Sequence, residues 1–275
     1  MTKSHLRFAF LLLAAIVATI TIPTLFWHGV WFGRVLDDSI LEGYLNQENP
    51  RQIQHALTQI GERIEKKDPT VHSWYSAVAK FSKSPLLNLQ ITAAWVMGQD
   101  TDSDLFHSTL LQMLADPKPL VRRNVALALS RFGDDRALPE LRNMLIPYPI
   151  RSPKSGSVFY LVSEGDWVNK GGIIANLNLN NVKIPIQSDA SGRLQTKLLP
   201  EGSLTTAGDT LILLKPNPKH VWESLRALYL LGGPEELEIV RSVLSESSFD
   251  QKIHQQAAST AKAIQKRVEQ QEVIP

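Results

Sequence analysis

The sequence predicts an α+β multidomain chain: an N-terminal transmembrane helix, then an α-solenoid of paired helices interrupted by a flattened β-barrel. Three observations carry this expectation. Residues 8–32 contain no Asp, Glu, Lys or Arg. Further along, two-helix patterns recur with a period of about 35 residues. Between two blocks of such patterns, a stretch punctuated by glycines contains itself twice.

The uncharged run reads FAFLLLAAIVATITIPTLFWHGVWF. A bilayer core needs about 20 apolar residues. Trp27 and Trp31 cluster at its far end, where aromatic rings favour the headgroup region, and Pro23 is tolerated in a membrane helix. A cleaved signal peptide is the rival reading, but the run is too long for one and lacks an A-x-A site. Lys3 and Arg7 precede the run, whereas Arg34, Asp37, Asp38 and Glu42 follow it. The positive-inside rule then places the tail 1–7 in the cytoplasm and the bulk outside. The expected location is the inner (cytoplasmic) membrane, single-pass, with the bulk in the periplasm.

Helical repeats are expected over 33–146 and again over 218–268, before a tail at 269–275. The clearest unit runs from Leu114 to Leu145. Pro119 opens a helix whose Val121, Val125, Ala128 and Leu129 share one face; Gly133 stops it; Ala137, Leu138, Leu141 and Leu145 line a second helix. Shifted back by about 35 residues, Ala93 matches Ala128, Gly98 matches Gly133 and Leu110 matches Leu145. An earlier, degenerate unit carries Ile53, Ala56, Leu57, Ile60 and Ile64. The later block offers Val221, Leu225, Leu228 and Leu231, a break at Gly232-Gly233, then Leu237, Val240 and Leu244, and finally Ile253, Ala257, Ala261 and Ile264. These units resemble HEAT repeats of the short bacterial type. Asp116 with Val121-Arg122 matches that family's D-x-x-x-x-V-R signature, and the resemblance implies that such residues bond along the stack.

Residues 147–217 read as strands bounded by turns. Gly156, Gly165 and Gly171 align with Gly192, Gly202 and Gly208 in a second copy of the same pattern. The duplication, with the phrase GDWVNKG at Gly165–Gly171, resembles the biotinyl/lipoyl-carrier fold, and the phrase occurs also in periplasmic adaptor (membrane-fusion) proteins. Those adaptors usually split the fold with a helical hairpin, which is absent here. Around the expected turn Asn180-Asn181, Leu177, Leu179, Val182 and Ile184 alternate with polar residues. The resemblance places the modified lysine of a carrier at Asn181, and an amide nitrogen cannot be acylated as an amine is. Lys183 falls two residues further along, facing outward.

Little else points to chemistry. The charge of +2 lacks the basic bias of a nucleic-acid binder, and the absence of cysteine removes disulfides, thiolate zinc sites and thiol nucleophiles. The seven histidines form no H-x-x-x-H or H-E-x-x-H pattern, and no G-x-S-x-G or phosphate-cradling loop is present. Asp37-Asp38 and Asp134-Asp135 suit caps and loops. His72, His107 and His254 read as exposed helix residues, and Trp95 reads as core.

The expected function is a non-catalytic, membrane-anchored scaffold or adaptor of a membrane complex in transport or envelope assembly. It has no catalytic residue, no cofactor, no metal, no nucleic-acid partner and no small-molecule substrate. Trp167, Asn180 and Asn181 are the candidate interaction residues. Two alternatives stay open: an accessory subunit of a membrane-bound respiratory or redox complex, and a biotin- or lipoate-dependent enzyme component. A bilin lyase, which can use similar helical repeats, is disfavoured by the expected anchor and the absence of cysteine.

Overall fold

The computed structural model describes residues 35–180 and 182–272. The expected transmembrane helix at 8–32 lies outside these residues, as does Asn181. Among the described residues no helix is long and apolar enough to cross a membrane. The fold class is corrected to helices and two β-sheets with no membrane-capable helix among the described residues, and neither the single-pass periplasmic location nor the membrane as a partner is supported. The longest described helix, Gln251–Glu272, is amphipathic rather than apolar all round: it buries Ile253, Ala257, Ala261 and Ile264 along one stripe and carries Lys252, Lys262 and Lys266 elsewhere.

The chain divides into two compact units, Met1–Val96 and Met97–Pro275. In the first, helices α1 (Asp38–Leu45), α2 (Pro50–Glu65) and α3 (Tyr75–Lys80) precede α4 (Leu87–Met97), whose last residue belongs to the second unit. Asn49 caps α2 through its side chain, and Pro50 occupies the first turn, where a missing N–H costs nothing. Ile53, Ala56, Leu57, Ile60 and Ile64 are all buried, as the helical period requires. Trp95 is half-exposed, yet its ring lies over Gly61, where a Cβ would overlap it.

The second unit holds α5 (Asp104–Met113), α6 (Pro119–Arg131) and α7 (Leu138–Asn143), then eight strands, then α8 (Pro218–Leu231), α9 (Pro234–Ser245) and α10 (Gln251–Glu272). Val121, Val125, Ala128 and Leu129 bury one face of α6, and Gly133 ends it at φ +75°, a conformation that costs glycine little. Helix α8 packs against α6, α7 and α10, although the strands separate it from α7 in sequence. Two buried hydroxyls fasten these helices: Ser224 donates to the Leu141 carbonyl (2.7 Å) and Thr260 to that of Leu225 (2.8 Å). Leu231 is half-buried and Leu244 exposed, with Val243 buried in its place.

Strands β1 (Tyr148–Arg151), β2 (Gly156–Tyr160), β3 (Trp167–Val168), β4 (Ile173–Leu179), β5 (Val182–Gln187), β6 (Gly192–Lys197), β7 (Leu204–Thr205) and β8 (Thr210–Leu214) form two antiparallel sheets. Their orders are β1-β8-β6-β3 and β5-β4-β2-β7. Val158, Val168, Ile174, Leu177, Ile186, Leu194, Leu211 and Ile212 fill the space between them. The duplication is written in the hydrogen bonds. The Gly165 N–H donates to the Leu194 carbonyl, and Gly202 donates to Val158; the Gly171 N–H donates to Ser188, and Gly208 donates to Ser152. Each pair swaps the roles of the two halves. All four glycines have positive φ, which explains why glycine recurs at matching places.

Candidate functional site

The β4–β5 hairpin ends in a tight turn. Leu179 pairs with Val182, Asn178 with Lys183 and Leu177 with Ile184. Asn180 adopts φ +50°, the left-handed conformation that asparagine tolerates best among side-chain-bearing residues. Lys183 is exposed in the strand ladder opposite Asn178 rather than in the turn. Leu177 is buried, but Leu179 is 41% and Val182 60% exposed, because the alternating face runs past the end of the barrel core. The tip therefore presents an apolar pair beside an amide. The alternation of Leu177, Leu179, Val182 and Ile184 thus outlasts the core by one rung at the tip.

Trp167 stands elsewhere, on edge strand β3 of the sheet that also contains β1 and β8. It is 57% exposed, and its indole N–H donates to Asn169 Oδ1 (3.0 Å). Its equivalent in the second half, Leu204 on β7, is 82% exposed. Trp167 lies directly opposite Arg193 in the β3–β6 ladder, and the Lys215 N–H donates to the Arg193 carbonyl (2.8 Å). With Phe249 and Glu246 from the segment after α9, these side chains line a cleft of about 700 Å³ between the β-domain and the helices that follow it. Trp167 and Asn180 thus belong to different places, and no single site joins them. Arg193, Lys215 and Phe249 were not legible as site residues, since only the fold brings them to Trp167.

A network of charge lies where α6, α7 and α8 meet. Glu140 is buried, and its Oε2 accepts from Arg122 Nε (3.1 Å) while Arg123 Nε stands 3.9 Å from Oε1. Arg122 also donates from Nη1 to the Asp116 carbonyl (2.8 Å), so the repeat signature ties the loop before α6 to α7. Asp116 Oδ1 meanwhile accepts the Lys118 N–H. Arg123 Nη1 lies 3.2 Å from His220 Nδ1. His107 is not simply exposed: its Nε2 is 2.7 Å from Asp134 Oδ2, and its ring stacks on Phe132. The side chain of Asp134 caps the turn that follows, by accepting the Arg136 N–H and bonding its guanidinium, which holds the carboxyl far below its usual range. Among the described residues no group of acids and histidines could hold a metal.

Burial pushes the His220 pKa down from 6.5 to about 4, and the charges of Arg123 and Lys219 push the same way. The unfolded chain then takes up a proton at a pH where the folded chain does not. The resulting stability is complete above pH 6.5 and is lost as pH falls from 6.5 toward 4. Discounted for the ring's partial exposure, the loss is about 2 kcal/mol. In His220→Asn the urea midpoint should change less between pH 7 and pH 4.5 than in the native chain, and equal changes in the two proteins would contradict this.

Residues 75–149 match the family of HEAT repeats, and residues 142–214 match the biotin-requiring enzyme family, the biotin/lipoyl domain. The chain carries HEAT repeats followed by a biotin/lipoyl-type domain. HEAT repeats present extended surfaces to proteins, and the chain is a protein-interaction scaffold in that sense. No curated protein matches the sequence. Among solved structures, one similar chain comes from the complex of CpcE and CpcF of phycocyanin lyase from Nostoc sp. PCC7120 (14% identity, 89% of this chain and 71% of that chain, TM-score 0.48). Another is an engineered protein (12% identity, 82% and 78%, TM-score 0.42). A third, a single-chain, multi-domain long-chain acyl-CoA carboxylase, is similar over 45% of this chain and 14% of its own (14% identity, TM-score 0.25). Likenesses this distant carry no activity across.

Proposed function

We propose that the chain is a non-catalytic adaptor, which docks protein partners on a biotin/lipoyl-type domain (147–217) set between two blocks of helical repeats (33–146 and 218–268). Trp167, Asn180 and Asn181 are its interaction residues. One observation carries this reading: the hairpin turn keeps the short form of a carrier tip, with Asn180 in the left-handed conformation, but offers no amine there. The lone pair of a carboxamide nitrogen is delocalised into its carbonyl, so it does not attack an acyl adenylate. The nearest amine, Lys183, sits in the strand ladder beside Val182 and Ile184. What the tip retains is surface, including the exposed Leu179–Val182 pair. Mass analysis of the tip segment tests the reading: in the chain isolated from its own cells, Lys183 should carry neither a biotinyl nor a lipoyl group.

A further inference from the structure

We propose that the cleft beside Trp167 binds an acidic peptide segment of a partner protein, anchored by one apolar side chain. The inference rests on the adaptor reading above and assigns it a partner chemistry.

The lining of the cleft mixes apolar and charged side chains, with more positive than negative charge. Trp167 on β3 and Phe249 in the segment after α9 both supply ring surface to its lining. Arg193 sits directly across the ladder from Trp167, and Lys215 is held beside Arg193 by the backbone hydrogen bond to its carbonyl. Two cations are thereby fixed next to one indole by strand pairing rather than by flexible loops. Arg193 spends its Nη1 on the Gly165 carbonyl (2.6 Å), which orients the guanidinium without neutralising it. Neither Arg193 nor Lys215 forms an ion pair among the described residues. The one carboxylate in the lining, Glu246, accepts the Ser248 N–H at Oε1 (3.1 Å) and lies within electrostatic reach of Lys215, so two cations face a single carboxylate. An occupant that is both apolar and negatively charged complements this wall. A basic or neutral segment leaves the excess positive charge of this wall unmatched.

The exposure of the indole favours a peptide over a small molecule. Trp167 is 57% exposed on an edge strand, open to a segment lying along the wall. A wall this open covers one side of an extended segment and leaves the other to solvent. An aromatic anchor flanked by cations is also the composition of interface hot spots, where tryptophan and arginine predominate.

The test is a selection of random displayed peptides on the full chain, with the Arg193→Gln/Lys215→Gln double variant as the counter-selecting protein. The enriched peptides should combine at least two acidic residues with an aromatic or large aliphatic one. The strongest, made synthetically, should bind the double variant and Trp167→Ala at least tenfold more weakly, and should weaken as salt rises. Arg193→Lys, which keeps the charge, should retain most of the binding, and circular dichroism of each variant should match the native chain. Peptides without acidic residues, no enriched peptides, or equal affinity for the native chain and the double variant would each overturn the proposal. An acyl group at Lys183 sinks the adaptor reading instead. An unmodified Lys183 with a failed selection sinks the cleft alone.

Discussion

Replacing Glu140 by alanine should lower the unfolding free energy by about 3 kcal/mol, because breaking a buried ion pair strands the remaining charges. Glu140 is buried between Arg122 and Arg123. Burial already lowers the proton affinity of Arg123, and Glu140 is the charge that most opposes this. Without the carboxylate, both guanidinium groups face each other and His220 across the junction of α6, α7 and α8. Glu140→Gln keeps the shape and part of the hydrogen bonding, so its loss should be smaller. The double variant Arg123→Met/Glu140→Met removes one charge of each sign and should recover much of the loss. Urea unfolding of the variants measures all of this. A Glu140→Ala midpoint equal to the native one would show that the network contributes nothing to stability.

Arg267→Ala should cost about 2–3 kcal/mol, since hydrogen bonds to a charged group are worth about 1.5–3 kcal/mol each and are not additive. The last carbonyls of a helix have no partner within it. At the end of α8, Arg267 supplies one from 35 or more residues away. Its Nε and Nη2 donate to Gly232, Nη2 also to Leu228, and Nη1 to Tyr229 and Leu230. One guanidinium from α10 therefore completes the C-terminus of α8, where a positive charge also suits the helix dipole. Arg267→Lys keeps the charge but not the fork, and should recover less than half of the loss. Hydrogen exchange should localise the effect to the last turn of α8 and to α10. Protection unchanged there would contradict this role.

The helical repeats were legible because their signal is local. A run such as Ile53, Ala56, Leu57, Ile60 and Ile64 needs only a 3.6-residue period to be read, and every member is buried. The duplicated glycines were legible for the same reason: each marks a turn that demands positive φ. Residues whose role depends on distant partners were not. Nothing near Arg267 in sequence announces the end of α8, and nothing near Arg193 announces Lys215 and Trp167. His220 reads as an ordinary residue of a first helical turn until Arg123 is placed against it. The periodic rule also overreached at element ends, where Leu179 and Leu244 keep the phase of the buried face but have no core left to enter. The membrane reading of 8–32 rested on its charged flanks and on an uncharged run with tryptophans at its far end, a run outside the described residues, and among those described no helix is long and apolar enough to cross a membrane.

The most direct measurement for the central account, a carrier fold used as a surface, is the mass of the tip segment after a deliberate attempt to load it. The full chain is incubated with biotin ligase, biotin and ATP, and separately with lipoate ligase, lipoate and ATP. The peptide containing Asn180, Asn181 and Lys183 is then weighed, alongside the same peptide from the chain isolated from its own cells. The account predicts the unmodified mass in every sample, since the turn offers an amide and the neighbouring amine lies in a strand ladder. A biotinyl or lipoyl group on Lys183 in any of these samples would contradict it.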